Sequence, residues 1–414
     1  MARGRGRWLG LALLLGVSPT ASGGTPELVW HRTWDSAGHG SDVAWGCAAN
    51  ADGSRIYVSG YSIRHDLGQG YNGWLGAYSA AGELLWVREW DSPAHRDDEW
   101  HGVCVDRHGD IFVTGAEYRP DLGQGNNLIV AKYSPGGRLL WSASFDGAGS
   151  EDYGIDVATD RTGSLYVLGY DDRPDLKQDW NTWLRKYDPR GRPVWTREYD
   201  SPGHGRDEGQ ALGVDGHGDL WLSGWERRDD LNEGYNAWVA KVRGDGTTLW
   251  VNRWDAGAGE DNVALAAMGA SDGGGYAVGW EDRPDLGQSY NAWIRRYAPD
   301  GTVLWERTYD SPAHAFDYLH RVEIDAAGWV LVCGYTDRPD LKHDTDAWAR
   351  GYTPAGEVLW DLFYDSPAHA GDIAWGLVPT RDGFLYLAGS EQHPDLNQAE
   401  DIFLRKFRMP RKVP

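Results

Sequence analysis

The sequence predicts an all-β protein: a seven-bladed β-propeller of four-stranded antiparallel blades, closed by an N-terminal strand that completes the last blade. Three observations carry this. A Trp that usually follows an aliphatic recurs as Trp30, Trp86, Trp141, Trp195, Trp250, Trp305 and Trp360, at intervals of 56, 55, 54, 55, 55 and 55 residues. An acidic, turn-like phrase, "DRPDLGQSYNAW" at 282–293, recurs in seven versions. Between these markers lie short β-branched and aromatic runs, separated by connectors of Gly, Pro, Asp and Ser, with no sustained helical period. Four strands per unit at such a period read as one propeller blade, and seven units fill the chain from about residue 28 to 408.

The second unit shows the elements in order. "HGVCVD" (101–106) is a first strand, followed by the turn "RHGD". "IFVTG" (111–115) is a second, followed by the "YRPDLGQGN" loop. "NLIVAKY" (127–133) is a third, followed by the turn "SPGG", and "LLWSASF" (139–145) is a fourth. Gly in the turns supplies positive φ. The chain starts on a fourth-strand pattern, "LVWHRTW" (28–34), and ends on a third-strand pattern, "DIFLRKF" (401–407). The first therefore completes the seventh blade and ties down both termini.

Residues 1–23 read as an export signal. "MARGRGR" is basic, "WLGLALLLGV" is a run of ten apolar residues, and "SPTASGG" supplies small residues for cleavage near Gly23. A bilayer span needs about 20 apolar residues, so this segment is too short. The expectation is one domain, 24–414, in a secreted, periplasmic or cell-surface protein without a membrane span, and a monomer. With 62 Asp+Glu against 40 Lys+Arg the net charge is −22, which repels phosphate backbones and excludes nucleic acid as a partner. Three scattered cysteines, Cys47, Cys104 and Cys333, make neither a disulfide scaffold nor a metal finger.

The segments "VDRHGDIFVTG" (105–115) and "YSPGGRLLW" (133–141) resemble the bacterial seven-bladed beta-propeller (SBBP) repeat family. The resemblance covers all seven units. It implies the propeller fold and export, and says almost nothing about activity. The "RPDL" loop is longer than that family's pattern. Pieces such as "DPRGRPVW" (188–195) are similar to pyrroloquinoline-quinone enzyme repeats, but eight blades and a vicinal Cys pair are both lacking.

Three Asp positions recur. One follows the fourth strand (Asp35, Asp91, Asp146, Asp200, Asp255, Asp310, Asp365). One precedes the first strand (Asp42, Asp98, Asp152, Asp207, Asp261, Asp317, Asp372). One lies in the phrase (Asp66, Asp121, Asp175, Asp230, Asp285, Asp340, Asp395). In a meander both loops reach the same, top face. Carboxylates there suit hard cations, but each Asp also suits a turn cap, and an Arg two residues earlier in six phrases can neutralise it. The phrase therefore reads as a blade-building structural ring. The set His39, His95, His204, His314 and His369, with Ser59, Thr114 and Ser223 and the third-strand Trp residues, is similar to the His–Ser/Thr–Asp–Trp network of WD repeats.

If repetition builds blades, departures from it mark a site. First-strand entry residues should line the channel mouth, and the polar outliers there are Glu99, His101, Tyr153, Glu208, Gln210, Asn262, Tyr318 and His320, with Arg321 and Asp156 one position on. Glu99, His101, Glu208 and His320 carry metal-ligand chemistry. The bland alternative is a water-filled lining. Trp45, Trp100 and Trp375 near the mouth suit stacking on sugars. Two functions follow: a non-catalytic scaffold presenting its acidic top face to a protein or glycan, or a channel-mouth metal-assisted lyase or hydrolase. No catalytic residue is assigned, and no cofactor is expected beyond a divalent cation under the second reading.

Overall fold

The computed structural model describes residues 24–147, 151–231, 233–255, 261–394 and 399–410. The expected export segment and Asp395 lie outside them. Among the described residues 28 strands form seven four-stranded antiparallel sheets. β1 (Glu27–Trp34) comes first. Blade one then comprises β2 (Asp42–Ala49), β3 (Arg55–Ile63), β4 (Tyr71–Ser79) and β5 (Leu84–Trp90), and blade two begins with β6 (Asp98–Val105) and β7 (Ile111–Tyr118). The first strands of blades three to seven are β10 (Asp152–Thr159), β14 (Asp207–Val214), β18 (Asn262–Gly269), β22 (Asp317–Ile324) and β26 (Asp372–Pro379). These first strands contact one another around the ring, so they line the channel. First strands start earlier than the sequence suggests, at Asp98 rather than His101 in blade two, because the Asp side chain itself opens the strand.

Ring closure follows the expectation. β1 pairs antiparallel with β28 (Glu400–Arg408), from Glu27 opposite Arg408 to Trp34 opposite Ile402, and completes blade seven. The marker Trp explains how neighbouring blades lock. Trp30 donates its indole N–H to the Ala80 carbonyl at 3.2 Å, and Trp86, Trp250 and Trp305 do the same to Pro135, Pro299 and Pro354 of the next blade. In five seams the Gly of the facing turn leaves room for the ring: a Cβ on Gly82 would lie 3.0 Å from Trp30, and one on Gly137 2.8 Å from Trp86. Two residues after the Trp, Arg32, Arg88 and Arg307 donate to the carbonyls of Gly82, Gly137 and Gly356. Apolar residues from facing sheets fill seven buried clusters between blades, with Trp74, Trp183, Trp293 and Trp348 fully buried in them.

The phrase forms a short 3-10 turn in each of the six blades where it is described, for example Pro120–Leu122 and Pro284–Leu286. In every one the Arg guanidinium forks onto the Asp two residues later: Arg119 onto Asp121 at 2.9 and 3.0 Å, Arg283 onto Asp285 at 2.9 and 3.0 Å, and likewise at Asp66, Asp175, Asp230 and Asp340. The Arg holds each of these carboxyls below the usual range. The Gln that follows ties the loop to its blade's last strand: Gln178 Nε2 donates to Asp200 at 2.6 Å, and its Oε1 accepts from Asn181 at 3.0 Å.

The WD-like network is not formed. His39, His95, His204, His314 and His369 take positive φ of 50–53° in surface turns, and each Nδ1 meets the Asp four residues earlier at 2.5–2.7 Å. Ser59 and Thr114 instead donate to the His101 and Ile129 carbonyls. The turn, and not a buried relay, is what the His builds.

Candidate functional site at the channel mouth

One backbone device aims side chains into the mouth. In each first strand the register against the second strand slips by one residue, leaving a bulged residue: Trp45, His101, Ile155, Gln210, Leu265, His320 and Trp375. A bulge turns one side chain away from the alternation of the sheet. Here all seven line one cavity of about 490 Å³. The bulge needs a Gly beside it on the second strand. At Gly60, Gly115, Gly169, Gly224, Gly279, Gly334 and Gly389 a Cβ would lie 1.8–2.0 Å from a first-strand carbonyl oxygen.

The register corrects the sequence reading of blade five. Asn262 pairs with Glu281 as Asp98 pairs with Glu117, so Asn262, and not Asp261, is the equivalent of the strand-opening Asp. Asn262 is fully buried and stands away from the mouth. The residue of blade five that lines the mouth is the bulged Leu265. The spacing carried the signal: the fourth-strand Asp precedes the opener by seven residues in six blades once Asn262 is chosen.

The strand-opening carboxylates are structural caps. The Oδ2 of Asp42, Asp98, Asp207, Asp317 and Asp372 accepts the N–H of Ser36, Ser92, Ser201, Ser311 and Ser366 at 2.5–2.7 Å. Burial pushes Asp42, Asp98, Asp152, Asp207 and Asp317 up to about 7 and Asp372 to about 8. A neutral amide in blade five is consistent with a site that disfavours charge.

The bulged residues divide the mouth into two arcs. His320, Trp375, Trp45 and His101 follow one another from blade six through seven and one to two. Trp45 meets His101 edge-on at 3.9 Å, and His320 packs on Trp375 at 4.2 Å. Ile155, Gln210 and Leu265 form the other arc. There Glu208 accepts from Arg206 Nε at 2.5 Å and from Gln210 Nε2 at 2.9 Å. Burial raises Glu208 to about 7 in spite of Arg206. Arg206 also lies over the Trp180 ring at 3.5 Å, which stacks on Tyr170 at 4.6 Å. Deeper in the channel Arg321 of blade six reaches Asp156 of blade three at 3.0 Å, and the same Oδ2 accepts the Leu212 N–H. Burial and the Arg321 charge bring His320 down to about 3, so it is neutral at physiological pH.

Of the ten residues expected at the mouth or one position beyond it, His101, Glu208, Gln210, His320 and Arg321 line the cavity. Glu99 stands behind His101, its Oε1 3.0 Å from Nε2. Tyr153 and Tyr318 pack into the aromatic rim, on Tyr170 at 5.2 Å and Tyr335 at 4.6 Å. Trp100 is fully buried between blades and offers no stacking face, whereas Trp45 and Trp375 are half-buried at the mouth. Glu99, His101, Glu208 and His320 do not form a common ligand set. Among the described residues, His, Cys, Asp and Glu ligand atoms lie within 4.8 Å of one another in two groups of three or more: His343–Asp365–His369 and Asp35–Asp42–Asp401.

Sequence reasoning missed the rim. The residue after the bulge Gly is Tyr61, Tyr170, Trp225, Trp280 or Tyr335 in five blades. Four of these pack on the first residue of a neighbouring third strand: Tyr61 on Tyr71, Tyr170 on Trp180, Trp225 on Tyr235 and Trp280 on Tyr290, at 4.3–4.7 Å. The recurring Gly–aromatic dipeptide was the available signal.

No family model matches the chain and no curated protein matches it, so the likeness to the SBBP repeat stands on the segments quoted above. Solved structures share the fold. The polysaccharide lyase Uly1 superposes with a TM-score of 0.56 at 8% identity, over 92% of this chain and 100% of that one. An α-L-arabinofuranosidase from Fusarium graminearum, solved with an iminosugar inhibitor, gives 0.51 at 13% identity, over 77% of this chain and 96% of that one. A puromycin hydrolase mutant gives 0.51 at 14% identity, over 85% of this chain and 50% of that one. At these identities the chain is similar to them as a propeller.

Proposed function

We propose that this chain is an exported binding propeller that takes a glycan at the top mouth of its channel. The observation that carries the reading is the mouth's two-sided chemistry: Trp45 and Trp375 with His101 and His320 on one arc, and the Arg206–Glu208–Gln210 polar corner on the other. Sugar rings present apolar C–H faces and hydroxyl edges, so they are held by aromatic faces together with carboxylate, amide and guanidinium groups. The phrase carboxylates are already forked by Arg, which supports a scaffold role for the ring. Affinity electrophoresis of the purified chain through gels holding a panel of soluble polysaccharides tests the reading. Retardation by at least one polysaccharide, lost in a Trp45→Ala/Trp375→Ala variant that melts like the wild type, is expected. Equal mobility in every gel, or retardation that the double variant keeps, overturns it.

A second reading rests on the Glu99–His101 pair. The two residues carry the side-chain types of general acid–base catalysis, with a carboxylate oxygen 3.0 Å from the His101 Nε2 beside the mouth cavity. Release of reducing or unsaturated ends from a retarding polysaccharide, abolished by His101→Ala with retardation kept, would make the binder an enzyme.

A further inference from the structure

The seam between blades six and seven departs from every other described seam in two positions at once. In blades one, two, three and five the phrase supplies a Gln and, three residues later, an Asn: Gln69 with Asn72, Gln124 with Asn127, Gln178 with Asn181 and Gln288 with Asn291. The Gln amide donates to the Asp that follows the fourth strand, as Gln69 does to Asp91 and Gln178 to Asp200. In blades one and three the amide also approaches the turn His: Gln69 lies 3.4 Å from His95 Nδ1, and Gln178 3.2 Å from His204 Nδ1. Blade six has His343 in place of the Gln and Asp346 in place of the Asn. A neutral amide pair has become an imidazole and a carboxylate.

The exchange assembles a new set of donors. His343 Nδ1 lies 3.3 Å from Asp365 Oδ2 and 3.3 Å from both oxygens of Asp346. His369 Nδ1 lies 2.5 Å from the same Asp365 Oδ2. The two imidazoles stack at 4.6 Å, 13° from parallel, with both Nδ1 atoms turned to Asp365. Two imidazoles thus converge on one carboxylate, with a second carboxylate beside His343. The ligand types are those of a zinc-class ion. Metal–nitrogen and metal–oxygen bonds of about 2.0–2.1 Å in a tetrahedron put ligand atoms about 3.3 Å apart, which the His343–Asp365 separation already meets. The His369–Asp365 contact must open by about 0.8 Å. His369 is 58% exposed, so it is free to swing that far.

We propose that His343, Asp365 and His369 bind one zinc-class divalent ion on the top face, with Asp346 as the outer partner of His343, stapling the phrase loop of blade six to the turn that enters blade seven. The turns at His95, His204 and His314 are internal controls, because each pairs one imidazole with its Asp and, among the described residues, none of them falls in a group of three clustered ligands. The site is independent of the channel mouth, so it stands or falls apart from the glycan reading.

Cobalt(II) is the probe, since its tetrahedral complexes absorb visibly. Titration of the full metal-free chain is expected to saturate at one equivalent with tetrahedral d–d bands, and zinc to displace it and raise Tm. His343→Gln/Asp346→Asn restores the pair that other blades already fold with, so it should fold normally. It is expected to weaken cobalt by at least about 100-fold, as loss of the His343 ligand together with its outer partner exceeds the 10–100-fold typical of losing an outer partner alone. His369→Ala, at an exposed position, should weaken it comparably. Cobalt bands that the double variant keeps would mean adventitious binding at the other His–Asp turns, and absence of bands in the wild type would mean no site. Either result overturns the proposal.

Discussion

Gly115→Ala tests the device that builds the mouth. The added Cβ would stand 1.8 Å from the Glu99 carbonyl oxygen, 2.8 Å from its carbon and 3.0 Å from the Trp100 Cα. Real Cβ atoms are essentially never closer than 3.0 Å to such atoms, so the β6 backbone must retreat by about 1.2 Å at the first contact. That backbone is held on both sides, by the β7 ladder and by the neighbouring innermost strands. Overpacking a core ordinarily costs about 1–3 kcal/mol. A rigid carbonyl in a ladder leaves no rotamer to relax, so about 3–5 kcal/mol is expected, in the range of exceptional single substitutions. With an unfolding entropy of about 2.1 cal/mol/K per residue, a domain of this length loses about 1.2 °C per kcal/mol, hence about 4–6 °C in Tm. Scanning calorimetry of the variant beside Gly136→Ala is the assay. Gly136 is exposed, and the nearest atom to its added Cβ is a Ser134 oxygen at 4.0 Å, so that control should lie within about 0.5 kcal/mol of wild type. If Gly115→Ala melts with the control, the bulge does not depend on the bare backbone, and the account of how His101 is aimed fails.

Two further outcomes follow from the same structure. Deleting residues 24–35 removes β1 and bares the β28 edge of blade seven, which is a template for aggregation; loss of a single cooperative melting transition or of solubility is expected, and an unchanged melting curve would refute closure by that strand. The strand-opening carboxyls give a pH dependence. Their folded values of about 7 to 8 lie above the ordinary unfolded value near 4, so their contribution is full below about pH 4 and is lost as pH rises through 7 to 8. Tm should therefore fall between pH 5 and 8.5, and Asp98→Asn, which copies the Asn262 of blade five, should make that fall shallower and raise Tm at pH 8. A profile of unchanged slope in the variant would show that Asp98 does not titrate in this window.

The sequence by itself determined the blades, their number and their closure. Those features are local or periodic: a Trp every 55 residues or so, hairpin turns with Gly at positive φ, and a fourth-strand pattern at the start matched to a missing one at the end. Physical chemistry within a single unit is enough to read them. The phrase was legible for the same reason, since an Arg and an Asp two residues apart fork onto each other wherever the chain turns. What only the tertiary structure decided is which side chains meet. The bulge at Trp45, His101 and their equivalents is a slip of one strand against another, so it has no signature within the first strand, and its partner Gly is separated from it in sequence. Register moved blade five from Asp261 to Asn262, because a single residue of offset changes the face of every side chain. Glu99, His101, Glu208 and His320 looked alike as outliers, but Glu99 stands beside His101, Glu208 is taken by Arg206 and Gln210, and His320 packs on Trp375, so the four form no common ligand group. His343 and His369, by contrast, are neighbours because loops from the same seam converge on the top face, a proximity set by ring closure and not by distance along the chain.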